Sequence, residues 1–217
     1  MAEKLRIDII SDVVCPWCII GFQRLTRAIE ELGAEDKVTI VWQPFQLNPH
    51  IPPEGENLRE HLAKKYGTST AESVHARSHL TQLGAEVGFQ FDYFDEMKTV
   101  NTRDAHILLG YASEFGKQTE LAMRLFSAFF SERKDISNRS VLSEALTAVG
   151  LDTLSALSKL DDPQSINELE ATVEQLRQLG VSSVPTVVFN QTDALTGAQP
   201  VEVYKQLLEE FLSTSEY

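Results

Sequence analysis

The sequence predicts an α/β protein, a mixed central sheet flanked by helices and interrupted by a large all-helical insertion. Three observations carry this. Short apolar runs of strand character lie near both ends of the 217-residue chain, at Leu5–Ile10, Val38–Trp42 and Val184–Phe189. About 100 residues between them carry almost only helical periodicity, too long a stretch to be a loop. Both cysteines of the chain stand together as Cys15-Pro16-Trp17-Cys18, between a strand-like run and a helix-patterned one.

Taken in order, the first strand is Leu5–Ile10. The helix after it runs from Pro16 to Leu32, because Cys18, Phe22, Leu25, Ile29 and Leu32 recur at spacings of one helical face. Gly33 suits the position just past its last turn. The second strand is Val38–Trp42; Pro44 and the run Asn48-Pro49-His50-Ile51-Pro52-Pro53-Glu54-Gly55 end it in an irregular loop. From Asn57 to Ser158 the pattern is helical, with stripes at Ala105, Leu108, Ala112, Phe115 and at Ala122, Leu125, Phe126, Phe129. Shorter helices follow at Ser140–Val149 and Leu151–Leu160. No strand is read there, and Phe89-Gln90-Phe91 alternates over too short a run. A further helix carries Ile166, Leu169, Val173 and Leu176 and ends at Gly180. Then come a buried strand at Val184–Phe189, turn residues Asn190–Asp193, a short strand at Ala194–Thr196, and a last helix opened by Pro200. The expected organisation is one domain built from residues 1–45 and 163–217, with an inserted helical subdomain at 46–162.

Composition narrows the function. A hydrophobic content of 42% and a charged content of 24% fit a soluble globular chain with a sizeable core. The net charge of −13 argues against nucleic acid and anionic membrane as partners, since both need basic patches. No signal-peptide pattern and no membrane-spanning run is read, so the chain, taken as complete, is expected in the cytoplasm. Two cysteines are too few for a disulfide scaffold, and a lone Cys-x-x-Cys in a reducing compartment is reactive or metal-binding more often than structural.

The chemistry follows from placement. A free thiol with a pKa near ~8.5 is mostly protonated at neutral pH, and the thiolate is the nucleophile. A helix N-terminus stabilises that anion with unpaired N–H groups and the positive end of its dipole. Cys15 stands there, with Pro16 at the first helical position. Cys18 is one turn on and begins the buried stripe. Cys15 is therefore expected to be exposed and to attack a disulfide, and Cys18 to be shielded and to resolve the mixed disulfide. A closed zinc site needs two more Cys or His ligands. There is no third cysteine, and His50, His61, His75, His79 and His106 are scattered, so no metal is expected. Asp12, three residues before Cys15, has two readings, tuning the thiolate or capping the helix, and the cap is the one expected. Trp17, between the cysteines and off the buried stripe, is expected to be exposed and to contact substrate. Val184-Pro185 opens a strand where proline is tolerated; this bond is open to cis or trans.

These residues resemble the DsbA family, and within it the FrnE-like branch. The likeness lies in Ser11-Asp12-Val13-Val14-Cys15-Pro16-Trp17-Cys18-Ile19-Ile20-Gly21, in Phe45-Gln46-Leu47-Asn48-Pro49 with Pro52-Pro53-Glu54-Gly55, and in Asn101-Thr102-Arg103-Asp104-Ala105-His106. Near the end it lies in Gly180-Val181-Ser182-Ser183-Val184-Pro185-Thr186 and Gly197-Ala198-Gln199-Pro200. It covers nearly the whole chain. One departure is Ser183, where the family pattern often has glycine. The resemblance implies a thioredoxin fold and a thiol–disulfide oxidoreductase or isomerase acting on protein or peptide thiols and disulfides. It implies a cis Pro185 facing the cysteines, a Val184 backbone that pairs with an extended substrate, and Asn101 and His106 lining the cleft. The structural alternative for Asn101 is a helix cap, and for His106 a surface or interfacial side chain. Substrate contacts are thus expected at Pro16, Trp17, Val184, Asn101 and His106, with no cofactor beyond the redox disulfide and glutathione as a further candidate. Related branches, the kappa-class glutathione transferases and the 2-hydroxychromene-2-carboxylate isomerases, carry serine at the position of Cys15. Two rival functions stay open: a glutathione-dependent isomerase or transferase, and a redox-controlled module that binds unfolded clients.

Overall fold

The structure, a computed structural model, describes residues 4–214; the outermost three positions at each end of the expected boundaries lie outside it. The central sheet has four strands in the order β2-β1-β5-β6. Strand β1 (Leu5–Ser11) is parallel to β2 (Val38–Pro44), with Ile7 opposite Ile40, and antiparallel to β5 (Thr186–Phe189), with Ile9 opposite Val187. Parallel neighbours need a crossover, and helix α1 (Pro16–Glu31) supplies it. Strand β6 (Asp193–Thr196) folds back on β5 through Asn190 and Gln191, both at positive φ.

Two apolar strand faces need two covers, and the sheet has helices to provide them. Cys18, Phe22, Leu25 and Ile29 are buried on α1, and so are Ile19, Ile20 and Gly21. The N-terminal half of α1 is thus closed on more sides than one stripe requires, because it packs against α9 (Val201–Thr214) and also against α3 (Thr70–Glu86) and α5 (Gln118–Phe130). At the outer edge of β2 the side chain of Gln118 replaces a neighbouring strand. Its Oε1 accepts from the Trp42 N–H at 2.9 Å and its Nε2 donates to the Trp42 carbonyl at 3.0 Å. The Trp42 indole packs on Phe22 and Phe126, with ring centroids at 4.8 and 6.0 Å.

Between β2 and β5 the chain is mostly but not wholly helical. It forms α2 (Leu58–Tyr66), α3, α4 (Arg103–Ser113), α5, α6 (Arg139–Ala148), α7 (Thr153–Ser158) and α8 (Pro163–Gln178). Two departures from the sequence reading stand out. A two-residue strand β3 (Glu56–Asn57) pairs with a two-residue strand β4 (Lys98–Thr99), too short for any periodicity to reveal. Residues 87–102 are largely irregular and carry an aromatic cluster in which Phe91 meets Phe89, Tyr93 and Phe130 at 4.9, 5.5 and 5.0 Å. Helix α3 ends on this cluster at Gly84, where a Cβ would stand 2.4 Å from the Phe91 ring. The helix expected at Leu151–Leu160 is shorter, running over Thr153–Ser158 before the chain tightens into a 3-10 turn at Lys159–Asp161. The strand expected from Val184 begins at Thr186, leaving Val184 and Pro185 in the approach to the sheet.

Candidate active site around Cys15 and Cys18

Strand β1 ends at Ser11 and the chain turns into α1 within four residues. The turn is closed by a hydrogen bond from the Cys15 N–H to the Asp12 carbonyl at 2.9 Å. Cys15 is the N-cap, in extended conformation, with no side chain capping the helix and Pro16 at the first position. Proline suits that place because its missing N–H is one of the orphans there. Both cysteines are free thiols.

Cys15 is not exposed as expected: only 4% of its surface is open. The Val184–Pro185 peptide, which is cis, comes against it from across the sheet, and the Cys15 Sγ lies 3.9 Å from the Val184 carbonyl oxygen. The Pro185 ring reaches α1 at Gly21, whose missing side chain leaves the room: a Cβ there would be 3.3 Å from Pro185 Cγ and from Ala198 Cα. The Pro185 carbonyl is held by the Gly197 N–H at 2.8 Å, and the Ala198 carbonyl by Arg24 of α1 at 3.0 Å. Two loops remote in sequence are thus pinned to the first three turns of α1.

Cys18 is fully buried. Burial pushes its thiol well above the ordinary range, and its hydrogen bond to Cys15 adds to this. The Ser11 hydroxyl and the Asp12 backbone N–H favour the thiolate but do not offset desolvation. Trp17 is 40% exposed, and its ring lies 6.5 Å from that of His79 on α3. The helical region therefore reaches the cysteine pair through α3.

One expectation is corrected, and the structure places two further residues. Asp12 does not cap α1. Its buried carboxylate accepts from the Leu47 N–H at 2.8 Å and faces His106 Nε2 at 3.3 Å. His106 is not a surface side chain but an interfacial one, the other half of the structural alternative: it is buried against Asp12 and is among the residues lining a cavity of about 380 Å³ between β2, α4 and α8. The Asn101 side chain is engaged locally: its Oδ1 accepts from the Arg103 N–H at the start of α4, and its Nδ2 donates to the Pro49 carbonyl. It bonds to the backbone at the start of α4, one residue before the N-cap Thr102.

Sequence reading missed Tyr93 and Arg77. Burial raises the Tyr93 phenol above its ordinary range, charge on Cys15 adds to this, and Arg77 acts against it. The Arg77 guanidinium, on α3, stands 5.9 Å from the Tyr93 ring. No motif marks either residue, and α3 buries only Ser73 and Gly84, so its inward face has no apolar stripe to announce it. Among the described residues no group of three or more His, Cys, Asp or Glu side chains stands together as a metal site would need, and no helix is long and apolar enough to cross a membrane.

A four-stranded mixed sheet with a cysteine pair at the start of its first helix, and a proline loop facing that pair, defines a thioredoxin-fold protein. The chain belongs to the DSBA-like thioredoxin domain family, whose model matches residues 6–209. It is similar to the crystal structure of a probable DsbA oxidoreductase from Streptomyces coelicolor, with a TM-score of 0.88 and 29% identity over 95% of this chain and 89% of that one. It is 26% identical to the uncharacterised protein YwbO of Bacillus subtilis over 208 residues, which is 95% of this chain and 96% of that protein. The cytosolic disulfide reductase DsbM of Pseudomonas aeruginosa, solved with GSH, shares the fold at a TM-score of 0.65 and 16% identity, covering 96% of this chain and 99% of that one.

Proposed function

We propose that this protein is a cytoplasmic thiol–disulfide oxidoreductase or isomerase in which Cys15 is the attacking residue and Cys18 the resolving one. The observation that carries the reading is the asymmetry of the pair: Cys15 is the N-cap of α1 facing the Val184 carbonyl, while Cys18 lies one turn deeper and fully buried. The Cys15 thiolate attacks one sulfur of a substrate disulfide. A new S–S bond forms, the old one breaks, and the departing sulfur leaves as a thiolate that takes up a proton. Cys18 then gives up its proton and attacks the Cys15 sulfur. The second substrate sulfur is released, and two electrons have passed from the pair to the substrate. Run in reverse, the oxidised pair accepts two electrons from a substrate dithiol.

Burial of Cys18 supports this order of events. A thiol held protonated by desolvation does not compete with Cys15 for the first attack. The Val184 backbone beside Cys15 suits an extended peptide, with Pro185 and Trp17 as its neighbours and Pro16 fixing the helix start. The substrates are protein or peptide thiols and disulfides. Glutathione is a second partner, a reading supported by the DsbM neighbour solved with GSH. The cytoplasmic location is supported by that neighbour's description as cytosolic. We further propose that residues 46–162 are an insertion in a domain formed by 1–45 and 163–217.

The test is reduction of insulin disulfides, beside glutathione binding by calorimetry. Turnover that is abolished by Cys15→Ser, with stable mixed disulfides accumulating on Cys15 in Cys18→Ser, is the expected result. Glutathione binding without turnover would replace this reading with a glutathione-dependent isomerase or transferase.

A further inference from the structure

The hairpin that brings Val184 to Cys15 is fastened to the helix that carries Cys15. Strands β5 and β6 pair from Phe189 opposite Asp193 to Thr186 opposite Thr196. The bond from the Gly197 N–H to the Pro185 carbonyl, 2.8 Å, carries this ladder one residue further toward the cysteines. β6 is the edge of the sheet, and Asp193, Ala194 and Thr196 on it are exposed, so little core holds it from outside. The chain beyond β6 is held by α1 instead. Arg24 Nη1 donates to the Ala198 carbonyl at 3.0 Å. Three residues earlier, on the same face of the helix, Gly21 leaves the space that Pro185 and Ala198 occupy.

The two contacts differ in kind. Apolar packing of Pro185 and Ala198 over Gly21 has no direction and lets the loop slide. A guanidinium bonded to a carbonyl fixes one atom of the loop in place. Between the fixed carbonyl and Pro185 stands Gly197, at a φ of +86, the residue with the widest backbone freedom. Where the Pro185 carbonyl lies therefore depends on where Ala198 is held. Val184 is the next residue, its carbonyl oxygen 3.9 Å from the Cys15 Sγ. The sulfur at the start of α1 and the backbone beside it are thus set in one frame, closed through Arg24, Ala198, Gly197 and Pro185.

We propose that Arg24 is a positioning residue for peptide substrates: by holding the Ala198 carbonyl it keeps the Val184 backbone where an extended chain can pair with it while that chain's sulfur meets Cys15. This rests on the reading of Cys15 as the attacking residue and of the Val184 backbone as the edge a substrate joins. A backbone edge that is already ordered loses little conformational entropy when a strand is added to it, whereas a loose one must be ordered at that moment. The effect falls on disulfides that bring a peptide backbone. It falls less on those that present only their sulfurs.

The test compares kcat/KM for insulin, whose disulfides lie in a peptide backbone, with kcat/KM for bis(2-hydroxyethyl) disulfide, which has none. It is run on the wild type, Arg24→Met and Arg24→Lys. Methionine keeps an apolar stem and removes the donor; lysine keeps a cationic donor. The expected result is a ratio of insulin to small-disulfide efficiency that falls about fivefold in Arg24→Met, the scale of one lost hydrogen bond, and falls mainly through the KM for insulin. Arg24→Lys should restore most of it. Should the methionine variant fold poorly, Arg24→Gln, with a side chain too short for the same reach, takes its place. An unchanged ratio in a folded variant, or equal losses on both substrates, overturns this inference alone, since the wild type still turns over. A wild type that reduces neither disulfide overturns the reading of Cys15 as well.

Discussion

Asp12 and His106 come from opposite sides of the molecule in sequence and meet in its interior, Oδ1 3.3 Å from Nε2. The same carboxylate receives the Leu47 N–H at 2.8 Å. One side chain, three residues before Cys15, thus joins the end of β1 to the loop after β2 and to α4. Asp12→Ala would leave the Leu47 amide and the imidazole without their acceptor, a loss of about 1–3 kcal/mol for each unsatisfied group. Asp12→Asn keeps an oxygen for Leu47 and should lose less. Urea unfolding of the two variants decides this, and equal losses would show that the bond from Leu47 contributes nothing.

Gly84 is the point where α3 rests on the aromatic segment. An added Cβ would meet the Phe91 ring at 2.4 Å and the Phe89 carbonyl at 2.6 Å. Alanine gains up to about 1 kcal/mol of helix propensity over glycine, but overpacking against a ring and a backbone oxygen costs about 1–3 kcal/mol or more. The clash should win. Gly84→Ala is expected to lower the melting temperature and to loosen the segment that carries Tyr93, read as faster amide exchange over residues 87–95. A variant as stable as the wild type would contradict the close packing at this site.

Gln118 closes the edge of β2 with two bonds to the backbone of Trp42. In Gln118→Leu the buried N–H and carbonyl of Trp42 lose both partners, and a destabilisation of about 1–3 kcal/mol is expected. An exposed strand edge also invites association with other chains. Light scattering of the variant near its unfolding midpoint should report aggregation that the wild type does not show.

Cys18 gives the reduced protein a pH signature. Its thiol is raised well above the ordinary value by burial, so in the folded state it stays protonated where the unfolded chain has released that proton. The unfolded state then binds fewer protons than the native state, and stability falls as pH rises. The loss begins near the unfolded thiol pKa of about 8.5 and grows by about 1.4 kcal/mol per pH unit above it. Denaturation midpoints measured from pH 7 to 10 should fall in the reduced wild type and fall less steeply in Cys18→Ala. Parallel slopes in the two proteins would show that the buried thiol is not the source.

The sequence by itself determined the parts of this protein whose cause is local. The stripe from Cys18 to Ile29, the proline at the first turn of α1 and the cysteine spacing each follow from periodicity or from the chemistry of a helix start. The strand β1 and the family resemblance were legible for the same reason. Tertiary structure alone decided what depends on residues far apart in the chain. Cys15 is buried because Val184 and Pro185 arrive from the other end of the fold. Asp12 turns away from the helix start because Leu47 and His106 offer it better partners than the orphan amides of α1. Tyr93 and Arg77 meet, ring against guanidinium, from a segment with neither helical nor strand periodicity and from a helix with no apolar stripe. Periodicity records which face of an element is buried. It carries no record of which distant side chain meets a given sulfur, because that is set by how the elements pack.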